Sequence, residues 1–413
     1  MKQTSVLLIA LLLSFFMITG SPAQELIGDP HFQDGLRVIT PNGPPDSIDG
    51  NIGFDTTKIP VWTCGQWNSQ SSLTAITPVV LDNGWYQWKD DYKEVRLGPY
   101  GAEEYDILLG ANSVNEWDST YRQAGEPWPH LLVEERLSPP GAAGPGCPSM
   151  DIMDSLHFHV EACLTQDTTI KNEGYDPNIH AAQFLIYFTV QNLNRSSAGY
   201  GKEYIWLGIQ VYDDRYEHPP EYINKDDGTQ TLIYSLAYDS VATVSTHTHE
   251  WVAFDVDLYP YALKALDEAW RQGYLPSSHD LADYKLGGMN MGWELPGMNI
   301  VTMEVRHLSL IAHTAPEGVK DPAGDKNSIT LFPVQPNPSG YSTMIRYRLA
   351  ERTKVELKIY NMDGKEMNCL VQGIQEAGEH AIHFDTSGLA PGLYLCRLTA
   401  EHRTATTRLM IGR

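Results

Sequence analysis

The stretch Tyr204 to Tyr212 reads YIWLGIQVY. Side chains alternate along a β-strand, so Ile205, Leu207, Ile209 and Val211 fall on one face. Tyr204, Trp206, Gly208, Gln210 and Tyr212 fall on the other. The first set is a core face. The second carries rings and an amide where a solvated strand ordinarily carries Lys, Glu and Thr.

The same division recurs along the chain. In Leu156 to Cys163, Leu156, Phe158, Val160 and Ala162 oppose His157, His159 and Glu161. In Gln183 to Asn192, Phe184, Ile186, Phe188 and Val190 oppose Gln183, Tyr187, Thr189 and Gln191. In Trp251 to Leu258, Val252, Phe254, Val256 and Leu258 oppose Trp251, Asp255 and Asp257. His130, Glu134 and Arg136 share a face in HLLVEERL, together with Leu132. One helix is expected, starting near Pro260, carrying Leu263, Leu266, Ala269 and Trp270 at helical spacing and ending at Gly273.

Strands with one apolar and one aromatic-polar face predict an all-β fold, a two-sheet jelly-roll sandwich with the apolar faces packed between the sheets. If the polar faces belong to one sheet, they line a concave surface. Sugar rings stack their C–H faces on aromatics, and sugar hydroxyls pair with amides and carboxylates. Trp206, Tyr187 and Trp251 are then the stacking platform, with Gln210, Tyr212, His157, His159 and Arg136 as further ligand contacts. The competing reading is cross-strand packing with no ligand. In pattern only, the region resembles the broad group of concanavalin-like and carbohydrate-binding jelly rolls.

Chemistry on such a face needs particular groups. Glycoside hydrolysis takes two carboxylates roughly 5–10 Å apart, and Glu134, Glu161 and Glu294 are the candidates, with Asp255 and Asp257 as further carboxylates. The Glu-x-Asp-x-x-Glu strand motif of laminarinase-like hydrolases is absent. A lyase needs a Tyr or His base and a cation for the uronate carboxylate; Tyr187, His157, His159 and Arg136 are of those types. The segment GGMNMGWELPG, Gly287 to Gly297, predicts a tight loop around Trp293-Glu294. Calcium is a possible cofactor at Asp213-Asp214 or Asp226-Asp227. His247 and His249 are expected on one strand face without a third metal ligand. Glycan binding, a hydrolase or lyase on the same face, and a structural surface protein therefore compete.

The two ends of the chain describe a route. Lys2, an apolar run from Val6 to Ile18 and the small exit Ser21-Pro22-Ala23 read as a cleavable signal peptide over residues 1–23. The run is too short to anchor in a membrane, which takes about 20 apolar residues. TAPEGVKDPAGDKNS, Thr314 to Ser328, is rich in Pro, Gly and charge and reads as a linker between a cargo region, 24–313, and a last domain, 329–413. That domain reads as a small antiparallel β-sandwich. Val355, Leu357 and Ile359 alternate with Glu356, Lys358 and Tyr360, Asp363-Gly364 supplies a tight turn, and His380 to Phe384, Leu393 to Leu398 and Thr406 to Met410 alternate likewise.

Pro336-Asn337-Pro338, MIRYRL (Met344 to Leu349), VELKIYNMDGKEM (Val355 to Met367), Ala377 to His380, LAPGLYLCRL (Leu389 to Leu398) and the basic Arg413 follow one another in this order. The series resembles the type A sorting domain of the type IX secretion system. The resemblance implies a Gram-negative bacterium, passage through the periplasm, and partnership between residues 329–413 and the secretion machinery. It also implies an extracellular or outer-membrane-surface destination.

Composition agrees with that destination. A net charge of −23 argues against nucleic acid as a partner, because a phosphate-binding surface needs clustered Lys and Arg. Five cysteines without a Cys-x-x-Cys pair give no disulfide framework. Cys147 with Cys163 and Cys369 with Cys396 are possible pairs, and buried free thiols are the alternative.

Overall fold

A computed structural model describes residues 23–412 apart from 45–46, 56, 103–105, 227, 315–328, 333, 335–338, 340, 362–364 and 401–402. The expected signal peptide up to Pro22, the linker after Thr314, Asp227, Pro336-Asn337-Pro338, the Asp363-Gly364 turn and Arg413 lie outside the described residues. The described chain forms two compact units, 23–314 and 329–412.

In the first unit the alternating segments build two stacked sheets, a jelly-roll sandwich. One sheet has eight strands. Its central run is Val252–Asp257, Met153–Thr169, Asn299–Thr314 and Asp106–Asn112 in hydrogen-bonded order. The other has nine strands: Tyr222–Lys225, Leu232–Leu236, Tyr204–Asp213, Gln183–Asn192, Tyr284–Glu294, His130–Arg136, Trp62–Gly65, Leu36–Ile39 and Ile48–Ile52. The apolar faces meet between them. Phe158 of the first sheet meets Phe188 of the second edge-on, with ring centroids 5.3 Å apart. Trp293 crosses the sandwich and donates its indole N–H to the Leu109 carbonyl at 2.8 Å. Burying each such side chain contributes about 1.5–3 kcal/mol, so it is the sum over both faces that fixes the register.

The expected helix is Tyr259–Gln272, with Pro260 in its first turn. Gly273 ends it at φ 83°, where its N–H bonds the Ala269 and Trp270 carbonyls. Ala262, Ala265, Leu266 and Ala269 form its buried stripe. Segment His247–His249 differs from expectation: Thr246–Thr248 is a single 3₁₀ turn capped by the Ser245 side chain, so the two imidazoles do not sit on a strand face.

All five cysteines are free thiols. In the last unit Cys369 pairs with Lys358 and Cys396 with Ile359, on either side of one strand. Two strand spacings, about 10 Å, exceed the reach of a disulfide. Cys64, Cys147 and Cys396 are buried, and burial pushes each thiol up to about 12. These are core residues rather than nucleophiles.

One charged side chain of the nine-stranded sheet turns inward. Glu135 is 4 % exposed; one carboxylate oxygen accepts the Gly28 N–H at 2.7 Å, and the other has no hydrogen-bond partner. Burial raises its pKa to about 7; the Gly28 hydrogen bond works against this, and the Asp29 and Glu25 charges add to it.

The second unit is a smaller sandwich. Its three-stranded sheet runs Ile329–Leu331, Ser342–Leu349, Gly378–Asp385, and its four-stranded sheet runs Glu366–Gln375, Thr353–Asn361, Gly392–Ala400, Arg403–Ile411. Val355, Leu357 and Ile359 are fully buried and pack with Ile345, Tyr347 and Leu398, as the alternation requires.

Candidate ligand-binding face

The site lies on the outer face of the nine-stranded sheet. Its residues alternate with core residues: His130, Leu132 and Glu134 with Leu131 and Val133; Tyr187 and Thr189 with Ile186 and Phe188. Because directly opposed residues share a face, the register assembles rows across the sheet. Asp213, Gln183, Glu294 and His130 form one row. Gly208, Tyr187, Asn290, Glu134, Thr63 and Arg37 form another, four residues further along the strands.

Aromatic rings gather at both ends of this face. At one end Trp206 sits 5.7 Å from Tyr187 and 5.4 Å from Tyr204. Tyr187 lies across Gly208, where a Cβ would come within 2.4 Å of the ring, and its hydroxyl reaches Ser235. Only glycine leaves room for the ring there. Burial holds the Tyr187 hydroxyl well above the ordinary tyrosine range; the Glu294 charge adds to this and the Ser235 hydrogen bond opposes it. A phenol so held is a poor base.

At the other end Trp128 stacks on His130 at 5.6 Å, Trp67 meets the same imidazole edge-on at 5.9 Å, and the Arg122 guanidinium lies 4.8 Å above Trp128. Trp67 folds over Gly65, whose Cβ would be 2.9 Å from the ring. Glu294 accepts the Trp128 indole N–H at 3.3 Å, lies 4.0 Å from the His130 Nε2, and keeps about a quarter of its side chain exposed. Neither Trp67 nor Trp128 is among the sequence candidates. Trp128 carries a readable signal, since it extends the period-two series His130, Leu132, Glu134 by one step. Trp67 lies beyond the end of its strand and carries none.

Several sequence-derived candidates sit elsewhere. The expected single polar surface is two surfaces, because the strand carrying His157, His159 and Glu161, and the strand that Trp251 immediately precedes, belong to the eight-stranded sheet, whose outer face points away from Trp206 and Tyr187. There, both His157 and His159 approach Asp255, at 3.4 and 2.9 Å. Arg306 pairs with Glu161 at 2.7 Å and lies 3.9 Å over the Trp251 ring. Tyr212 is 2 % exposed: Val211 is an extra residue in the register between Phe184 and Leu185, so the alternation slips and the Tyr212 ring packs 5.6 Å from Trp293. Gln210 stays on the outer face but is 8 % exposed, and its amide donates to the Pro220 carbonyl at 2.9 Å. Arg136 is exposed at the rim.

Among the described residues the carboxylates near Glu294 on this face are either far along the strand or already held. Glu134 lies one strand from Glu294 but four residues along, about 13 Å at 3.3 Å per residue, against the 5–10 Å that acid–base pairs span. Asp213, two strands from Glu294, is 1 % exposed and held by Arg215 at 2.6 Å and Gln183 at 2.8 Å. Asp214 accepts from the Ala182 N–H and from Thr169. Among the described residues no group of three or more His, Cys, Asp or Glu is arranged to hold a metal ion.

Solved structures similar to this chain are endoglucanase Cel12A from Rhodothermus marinus, a family 12 xyloglucanase from Bacillus licheniformis and the family 11 xylanase from Neocallimastix patriciarum. The first is 12 % identical with a TM-score of 0.31 and covers 62 % of this chain and 100 % of its own. The second is 8 % identical with a TM-score of 0.33 and covers 57 % and 97 %. The third is 10 % identical with a TM-score of 0.25 and covers 58 % and 92 %. Among curated proteins nothing matches. No helix among the described residues is long and apolar enough to cross a membrane. The last unit is settled by its own sequence: residues 333–412 match the secretion system C-terminal sorting domain, so the chain ends in a type IX sorting domain and is a secreted or cell-surface protein.

Proposed function

We propose that the 23–314 unit binds an extracellular glycan on the outer face of its nine-stranded sheet after export by the type IX system. The observation that carries this reading is the pair of aromatic groups, Tyr187–Trp206–Tyr204 and Trp67–Trp128–His130, on one sheet face with Asn290, Gln183 and Glu294 between them. From the row of Thr189 to the row of Gln183 is six residues, about 20 Å, a span for an oligosaccharide of several rings. Rings at both ends stack on sugar C–H faces; amides and the carboxylate take hydroxyls.

Binding without cleavage is favoured over hydrolysis because Glu134 lies four residues along from Glu294, and Asp213, two strands away, is buried and held by Arg215 and Gln183. Glu161, the third sequence candidate for catalysis, is committed to Arg306 on the other sheet. The test is affinity and product analysis on a polysaccharide panel with the wild type, Trp206→Ala, Trp128→Ala and Glu294→Gln. Binding that falls tenfold or more in both Trp variants, with no new reducing ends, supports the reading. Reducing ends that vanish in Glu294→Gln would make the protein a hydrolase, and a panel without any binding would remove the glycan.

A further inference from the structure

The sorting domain has four strands at sheet edges, and three are guarded. Ile329–Leu331 is three residues long. Gly378–Asp385 carries Glu379, His380, His383 and Asp385 along its length. Arg403–Ile411 carries Arg403 and Arg408, and its end is covered by Ser339, whose N–H donates to the Met410 carbonyl at 2.8 Å and whose carbonyl accepts from Gly412 at 3.0 Å. Short strands, charges and covered edges are the devices by which proteins prevent stray strand pairing.

Glu366–Gln375 is neither short nor covered, and its protection is limited to one charge and to Met367 and Leu370, which are extra residues in its register with Thr353–Asn361. It is ten residues long and outermost in the four-stranded sheet, and among the described residues it pairs on one side only, with Thr353–Asn361. Its one charge, Glu366, is matched by Lys358 at 3.2 Å. The remaining nine residues, MNCLVQGIQ, contain no charge and no proline. Ile374 is 59 % exposed and Met367 39 %.

We propose that this edge is where the export machinery engages the domain, by adding an extended, uncharged segment of its own as a fifth strand. The proposal rests on the sorting assignment and names the element that serves it. An open edge satisfies a partner's backbone N–H and C=O groups, and Ile374 and Met367 offer alternate side-chain contacts. Charge argues against a second copy of this chain as the occupant. Of the chain's 29 Lys and Arg and 52 Asp and Glu, residues 329–413 hold 10 and 8. The other 19 and 44 leave residues 1–328 at −25, so two copies joined at their tails bring two strongly like-charged bodies together. The segment 314–328 is a poor strand, with two prolines and five charges.

The experiment expresses the full chain in its host carrying Cys369→Lys and Ile374→Lys, singly and together, with His383→Lys on the guarded edge and a 329–413 deletion as controls. Both edge positions are exposed, so the substitutions add charge without removing core. The expected result is at least a tenfold loss of extracellular protein for the double variant, with precursor held in the periplasm and unchanged melting of the purified chain. His383→Lys exports normally. If the double variant melts early, Cys369→Lys alone decides by the same readout. Normal export of the edge variants while the deletion is blocked overturns the proposal and leaves the sorting assignment standing; normal export of the deletion overturns both. A wild-type dimer that the double variant converts to monomer assigns the edge to a second copy and overturns it too.

Discussion

The two outer faces of the jelly roll are written in the same alternating pattern and do opposite things with their polar groups. On the eight-stranded sheet the charges answer one another: Glu94 takes Lys89 at 2.8 Å and Arg96, Glu161 takes Arg306, and Asp255 takes His159 and His157. Even the half-buried ring of Trp251 is covered by a guanidinium. On the nine-stranded sheet the rings cluster in two groups, and Glu294 sits among them with the Trp128 indole N–H and the His130 imidazole beside it. The difference is one of kind: charges paired with charges on one face, rings packed in two clusters around amides and a carboxylate on the other. Clustered rings are what a sugar can stack on, and charge pairs are not.

The largest effect that can break this comparison lies beneath the open face. Trp293 neighbours Glu294 on one strand but points into the core. Trp293→Ala should cost about 3–5 kcal/mol, from the cavity and from the lost indole hydrogen bond to the Leu109 carbonyl. Trp206→Ala should change unfolding free energy far less while it weakens glycan binding. Denaturant unfolding of both variants is the check. Equal losses would show that Trp206 is a packing residue, and the binding face would go with it.

Next in size is a pH effect on the same sheet. Glu135 binds its proton more tightly folded, with a pKa of about 7, than unfolded, where about 4.5 is ordinary. The folded state therefore holds more protons between those values, and its stability falls as pH rises from about 4.5 to about 7. The full difference is about 3 kcal/mol. Glu135→Gln should flatten that slope and raise the melting temperature at pH 8 above wild type. A variant whose melting curve keeps the wild-type pH slope would mean that Glu135 is not the group responsible.

Much of this was legible in the chain. Ile205, Leu207 and Ile209 are core residues because YIWLGIQVY alternates, and Pro260 and Gly273 bound the helix because one tolerates the first turn and the other the left-handed cap. Alternation tells in from out but not which of two sheets a strand joins, so His157 and Tyr187 look equivalent in sequence and lie on opposite sides of the sandwich. A single inserted residue is also invisible: Val211 shifts the register, and Tyr212 turns from the outer face into the core. Trp67 lay beyond reach for a third reason, since its place depends on Gly65 leaving room under the ring and not on any period.

The smallest expected effect is the sharpest test of which face binds. Trp251→Ala removes an aromatic from the charge-paired sheet. Its ring contributes a cation–π contact to Arg306, worth about 0.5–1 kcal/mol at an exposed site. Arg306 also keeps its ion pair with Glu161, and such surface pairs contribute about 0–1 kcal/mol. Stability should then fall by no more than about 1 kcal/mol. Glycan affinity should not change at all, because the ring faces away from Tyr187 and Trp206 across the full thickness of the sandwich. Sequence alternation alone places Trp251 with those two residues; the sheet assignment separates it from them. Isothermal titration of Trp251→Ala beside Trp206→Ala decides between these. Should Trp251→Ala lose affinity and Trp206→Ala keep it, the ligand belongs on the eight-stranded sheet, where His157, His159 and Asp255 would be its polar contacts.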